Sequence, residues 1–159
     1  MRHAPHDSRR PRLIGLAAGL VLALGLLSPL RADDRTIGVI RTSEGATFVG
    51  RAGAELPGRE GLALQESDVL RTGPDGRLGV ILRDDTRLSL GPDSEVWIDR
   101  FAFVPSTGVL ALVIRMARGA AIYVSGKIAA LSPGSARVET PVATLSTRGT
   151  AFAVRVHAE

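Results

Sequence analysis

Apolar and polar side chains alternate with a period of two along several short runs of the chain beyond residue 32. The clearest runs are residues 77–83, 109–116 and 150–157, in which one set of alternating positions is almost wholly apolar. Successive side chains on a strand point to opposite faces of a sheet. Each run therefore predicts a strand with one apolar and one mixed face.

Gly and Pro punctuate these runs at short intervals, as at Gly73-Pro74-Asp75-Gly76 and Ser132-Pro133-Gly134. The runs between such turns hold four to ten residues rich in Val, Ile, Leu and Thr, and none shows a 3.6-residue period with helix caps. The pattern predicts an all-β fold of about ten to twelve strands, an antiparallel sandwich or barrel-like single domain. A short β-solenoid is the alternative, although no fixed repeat supports it.

The N-terminus has the pattern of an export signal. A basic stretch at residues 1–12 precedes an uncharged apolar run, Leu13–Leu27, and then the helix breaker Ser28-Pro29. We expect a signal helix in residues 1–32 with cleavage after Ala32, a single β domain at 33–159, and a periplasmic location. The alternative is an uncleaved anchor to the inner membrane through residues 13–30.

Removing the leader changes the charge of the protein. The chain has 20 basic and 16 acidic residues, but the first 32 residues hold five of the basic ones and one acid, which leaves 15 of each in residues 33–159. A neutral domain without an Arg cluster gives no basis for nucleic-acid binding. Membrane contact is expected only through the leader, if it stays uncleaved.

The sequence offers no constellation for catalysis or metal binding. Cys is absent, two of the three histidines lie in the leader, and His157 stands alone. Asp84 and Asp85 are neighbours in a predicted turn, where adjacent carboxylates are solvated and do not converge across a cleft. We therefore expect no enzymatic activity, no metal site and no cofactor.

Three segments, in order, carry a resemblance to the FecR family, a family of sensory or regulatory domains of the bacterial periplasm. They are residues 66–73, with Ser67 where the family usually has Gly, residues 77–90 around Asp84-Asp85-Thr86, and residues 138–154, which read Thr-Pro-x-Ala and then Arg-Gly-Thr-x-Phe-x-Val. We call the matching positions the signature residues: Asp68, Thr72, Gly73, Asp85, Thr86, Thr140, Pro141, Arg148, Gly149, Thr150 and Phe152.

The resemblance, which we expect to extend over residues 37–156, implies a non-enzymatic binding or regulatory component of the cell envelope, related to signal transduction. Its partner would be another envelope protein, a sensor or an outer-membrane receptor. The family supplies no catalytic residues. Family transducers usually carry a cytoplasmic segment and a further C-terminal domain, which this sequence does not match, so direct control of a sigma factor is not part of the expectation.

Two motifs leave alternatives open. Arg148-Gly149-Thr150 is either a recognition corner or a structural turn in which Gly149 supplies a positive φ. Trp97, Phe101 and Phe103 share one face of a predicted strand, and that face is either exposed or covered. An exposed aromatic strip would be a binding surface, and the alternative function would then be a carbohydrate- or cell-wall-binding module.

Overall fold

The computed structural model describes residues 35–146 and 151–157, and these residues form twelve strands. The predicted signal segment and Arg148-Gly149-Thr150 lie outside the described residues. The all-β prediction and the predicted number of strands are confirmed. The strands are β1 (Thr36–Glu44), β2 (Thr47–Arg51), β3 (Ala54–Pro57), β4 (Ala63–Gln65), β5 (Val69–Thr72), β6 (Arg77–Leu82), β7 (Arg87–Leu90), β8 (Glu95–Val104), β9 (Val109–Val124), β10 (Ala136–Glu139), β11 (Thr144–Ser146) and β12 (Ala151–Val156).

The strands make a curled, half-barrel arrangement of two sheets that share β9. The path runs β3-β2-β5-β8-β9-β7-β6-β1-β4, with β10 and β12 also paired to β9 and β11 paired to β10. The first part of β9 pairs with β8 and β10, and its last part pairs with β7 and β12. Within the described residues every pairing is antiparallel except the parallel pair β9–β10, which the sequence did not predict.

The long strand β9 bends at Gly119, where it passes from one sheet to the other. Gly119 has φ +96°, and a Cβ at this position would collide with Ser94. The buried Ser94 hydroxyl is hydrogen-bonded to the backbone N and O of Ala120, at 3.1 Å each, and donates to the Gly91 carbonyl at 2.9 Å. Only glycine adopts this backbone region at so close a contact, so the corner requires Gly119.

The core lies between the inner faces of the two sheets. On β6, Leu78, Val80 and Leu82 are buried and Arg77 is exposed, as the alternation predicted. On β12, the alternate residues Phe152, Val154 and Val156 are half-buried and pack against the rim of the core. Burial of alternate aliphatic side chains on strands from both sheets supplies the main stabilisation of this cysteine-free domain.

One short helix, α1 (Lys127–Leu131), has no counterpart in the sequence prediction. Five residues are too few for a helix to be stable by itself. The Asp84 carbonyl accepts a hydrogen bond from Lys127 N at 2.6 Å, and its carboxylate accepts one from Ile128 N at 3.3 Å. Ile128 is fully buried, so tertiary contacts hold the helix and no local periodicity could have indicated it.

Two turns of the signature segments place non-glycine residues in the left-handed region. Ser67 has φ +71° and Asp85 has φ +68°. For an L-residue this conformation is strained, whereas glycine adopts it freely. Both residues therefore carry backbone strain that Gly, the usual family residue at position 67, would not.

We expect Ser67→Gly to raise the free energy of unfolding by about 0.5–1 kcal/mol, because relief of the left-handed strain exceeds the entropy that Gly adds to the unfolded chain. Urea unfolding followed by tryptophan fluorescence measures the change. Ser106→Gly is the control, since Ser106 is not among the positive-φ residues and should gain nothing. A loss of stability in Ser67→Gly would contradict the argument.

Candidate functional site

Asp68 lies in the turn between β4 and β5 and is fully buried, with 0% of its surface exposed. Arg51 on β2 donates two hydrogen bonds to its carboxylate, from Nε to Oδ1 at 2.8 Å and from Nη2 to Oδ2 at 2.7 Å. The backbone N of Gln65 donates a third, at 2.8 Å. A bidentate, charge-assisted pair of this kind fixes geometry, so Asp68 ties its turn to β2. Nothing in the sequence indicated that Arg51 pairs with Asp68, because 17 residues separate the two.

Thr72 and Gly73 hold the corner loop that leads from β7 to β8. The buried Thr72 hydroxyl donates to Gly91 O at 2.7 Å and accepts from Ser94 N at 2.9 Å. Gly73 N donates to Ala46 O at 2.8 Å, and a Cβ on Gly73 would come within 2.9 Å of the Ala46 side chain. Gly73 O also accepts a hydrogen bond from Asp93 N at 3.1 Å, so both signature residues position the corner loop next to the bend in β9.

The turn Asp84-Asp85-Thr86 divides into a buried and an exposed half, which corrects the prediction that both carboxylates are solvated. Asp84 is 0% exposed and accepts hydrogen bonds from Thr86 N, at 3.1 Å, and Thr86 Oγ1, at 2.8 Å. Thr86 Oγ1 in turn accepts one from Gly126 N at 3.1 Å. These two side chains therefore join the β6–β7 turn to the start of α1.

Asp85 points to solvent and pairs with Lys127, the only lysine of the sequence, with Nζ to Oδ2 at 2.7 Å. The hydrogen bond from Lys127 lowers the pKa of Asp85, and the same bond raises the pKa of Lys127. Because the folded-state pKa of Asp85 lies below its unfolded value, the contribution of the pair is present above the unfolded pKa. It is lost as the pH falls through the folded-state pKa.

The remaining described signature residues lie at the C-terminal end of the domain. Thr140 and Pro141 begin the tight loop between β10 and β11, where Thr140 N donates to Ala143 O at 2.8 Å. Phe152 on β12 stacks on the buried Tyr123 of β9, with ring centroids 5.0 Å apart. Phe152 therefore covers the core at the edge of the sheet. The two alternatives for Arg148-Gly149-Thr150 concern residues outside the described ranges.

Trp97, Phe101 and Phe103 do not form one exposed strip, which corrects the geometry expected of a binding surface. A β-bulge in β8 shifts the register between Ile98 and Arg100, and an extra residue reverses the faces of the residues that follow it. Phe101 is therefore only 6% exposed, and Phe103 packs against the core.

Trp97 lies on the other face of β8, where it is half-buried. The Arg115 guanidinium lies 4.6 Å from its ring centroid and is itself held by Asp99 through two hydrogen bonds, at 2.8 and 2.9 Å. A cation that covers the ring face occupies the surface on which a sugar would stack. The arrangement gives no support to a carbohydrate-binding module.

The described residues form an open groove of about 640 Å³ between the loop that joins β10 to β11 and the end of β12. Its floor is Ala117-Arg118 of β9, so it lies beside the bend at Gly119. The described part of the lining combines apolar and cationic side chains and contains no carboxylate. It consists of Ala117, Arg118, Thr140, Pro141, Val142, Ala143, Leu145, Val154, Arg155, Val156 and His157.

The described residues contain no group of three metal-binding side chains. None of the helices in the same part of the chain is long and apolar enough for a membrane span. The buried carboxylates of Asp68 and Asp84 are satisfied by donors of the fold itself and do not border the groove. Among the described residues, the lining of the groove is apolar and cationic and holds no pair of groups placed for acid–base chemistry.

The family model described as FecR protein matches residues 68–159. The match contains all the signature residues and the groove, and it confirms the resemblance found in the sequence. The match begins at residue 68, later than the expected start at residue 37. Strands β1–β4 lie outside the match, although they belong to the same two sheets. No curated protein and no solved structure matches the chain.

We expect Arg51→Met to lower the free energy of unfolding by about 3 kcal/mol, since it leaves the buried Asp68 carboxylate without its partner. Arg51→Lys should fall between Met and wild type, because lysine lacks the bidentate fork. Arg77→Met is the control, because the pair of Arg77 with Glu44 spans 3.9 Å between exposed side chains. Its loss should lower the free energy of unfolding by less than about 0.5 kcal/mol. Equal losses at Arg51 and Arg77, measured by denaturant unfolding, would refute the structural role of Asp68.

We expect Lys127→Met to raise the pKa of Asp85 toward that of an ordinary carboxyl group, because the hydrogen bond that lowers it is removed. Carboxyl ¹³C chemical shifts recorded across a pH titration report this pKa directly. Arg137→Met removes a similarly exposed pair with Glu139 and should leave Asp85 unchanged. An unaltered pKa of Asp85 in Lys127→Met would show that the pair does not persist in solution.

Proposed function

The chain belongs to the FecR family, and from this premise we propose that it is an exported, non-enzymatic domain that acts in envelope signal transduction by binding another envelope protein. Domains of this family are generally regulatory in signal transduction, are typically associated with the periplasm or envelope, and are not known as enzymes. The family match over residues 68–159 is the observation that carries the proposal.

The leader and the charge balance support export and contact with a protein. The basic stretch followed by the apolar run Leu13–Leu27 is typical of a secretory signal. A domain with 15 basic and 15 acidic residues has no general attraction to nucleic acid. The sequence contains no cysteine, so the fold forms no disulfide and needs no oxidant to reach its final structure.

The burial of the polar signature residues inside the fold supports a role in binding rather than in catalysis. The signature side chains Asp68, Thr72 and Thr86 are buried and satisfied inside the fold. They hold turns in place and leave the open groove next to β12 as the surface for contact. A sensor or an outer-membrane receptor is the partner that the family suggests.

We expect the chain, produced in its native host, to accumulate in the periplasm with a mature N-terminus at Asp33, measured by fractionation and N-terminal sequencing. Leu20→Arg should block export, because a charge interrupts the apolar run. Leu131→Arg is the control, since this exposed leucine of α1 lies outside the leader and its substitution should leave export unchanged. A native chain found in the cytosol would overturn the proposal.

Partner binding needs a separate measurement. Chemical crosslinking of intact cells, followed by purification of the tagged chain, should yield one defined envelope protein. Arg51→Met, which weakens the fold at a distance from the groove, should reduce the yield only in proportion to the loss of folded protein. Deleting the chain should alter transcription that depends on that partner. An unchanged transcriptional response together with the absence of any crosslinked envelope protein would contradict a regulatory role.

A further inference from the structure

β12 offers an open backbone edge beside a partly covered apolar row. Within the described residues it pairs with β9 alone. Phe152, Val154 and Val156 face the core but stay half-buried. A strand edge with unpaired N–H and C=O groups is a template for one more strand. An added strand would also complete the burial of the apolar row.

The groove continues this edge into a gap along β9. β10 pairs with β9 as far as Arg115, and β12 pairs with it from Gly119 onward. On this edge no described strand stands opposite Ala117 and Arg118, which form the floor of the groove. Val142, at the tip of the β10–β11 loop, is 91% exposed and borders the same space.

The described lining of the groove carries positive charge, although residues 33–159 as a whole are neutral. Among the residues that the structure describes, two guanidinium groups, those of Arg118 and Arg155, line it, and no carboxylate does. Glu95 pairs with Arg118 at 3.4 Å, but it also pairs with Arg71 at 2.9 Å. An adjoining recess shares Arg118, Arg155 and His157 with the groove and is also lined by Asp93. Among the described residues, Asp93 lines this recess but not the groove, so the groove itself has cationic side chains without an acid in its lining.

We propose that this groove binds an extended acidic peptide segment of a partner protein, which adds alongside β12 as a further strand. Backbone hydrogen bonds to β12 provide the attachment, and carboxylates over Arg118 and Arg155 provide the selection. Apolar side chains at the alternate positions of the peptide cover Val154 and Leu145.

A second copy of the chain is a poorer occupant. Pairing two β12 edges would bring Arg155 of each copy to the same seam, where like charges repel. The identity of the partner as an envelope protein rests on the proposed function, whereas the chemistry of the groove does not. The two proposals can therefore fail separately.

The test is a selection of random heptapeptides on the exported chain purified from the periplasm. We expect enrichment of Asp and Glu alternating with Val, Ile or Leu. The best selected peptide, titrated by NMR, should shift resonances of Ala117, Arg118 and residues 154–157. Its Asn and Gln analogue should lose binding, and a version with a central Pro should be weaker, because Pro cannot donate to the strand edge.

Arg155→Glu should weaken binding of the selected peptide by about tenfold or more, because it reverses a charge at the edge. Arg41→Glu is the matched control: it reverses an exposed charge on β1, outside the groove, and should leave the affinity unchanged. Selection without acidic enrichment, shifts confined to other surfaces, equal effects of the two variants, or a dimer joined through β12 would each overturn the inference. A peptide bound in the groove of a chain that contacts no envelope protein would sustain the inference and defeat the proposed function.

Discussion

The close contact between Gly119 and Ser94 is the constraint on which the rest of the structure depends. β9 must cross from one sheet to the other, and it does so at Gly119. This glycine has a positive φ, and its missing Cβ leaves the space that Ser94 occupies. The Ser94 hydroxyl fastens the corner loop to Ala120 across this bend. Because β7 and β8 follow one another along β9 with this loop between them, both sheets curl over one core.

The family signature describes how the chain turns rather than what it binds. Asp68 ties a turn to β2, Thr72 holds the corner loop, and Thr86 joins the β6–β7 turn to α1. A buried ion pair adds less to stability than its Coulomb energy suggests, because both charges lose their hydration. Its satisfied geometry instead favours one arrangement of the turn. Under the proposed function, recognition of a partner is left to the rim of the domain.

Local pattern predicted the strands, and non-local contacts decided the rest. Alternation gave the buried faces of β6 and β9, because a period of two is a property of the strand itself. It failed at Phe101, where a bulge opposite Val113 reverses the alternation, and no residue type in β8 marks a bulge. The prediction that Asp84 is solvated, which rested on its place in a turn, was also wrong, because Asp84 is bonded to Ile128 of α1, 44 residues away. The groove was beyond sequence reasoning, since its two sides meet only after β10 and β12 reach the same edge of β9.

The groove follows from the same topology as the core. The parallel strand β10 pairs with β9 before the bend, at residues 112–115. The antiparallel strand β12 pairs with β9 from the bend onward, at residues 119–124. Their ends leave Ala117 and Arg118 uncovered between them. An edge strand beside such a gap risks pairing with its own copies, and charged side chains are a common protection against this. Arg155, which is exposed on β12, provides that protection here. The charges that discourage self-association also favour an acidic partner, so one feature gives both solubility and selectivity.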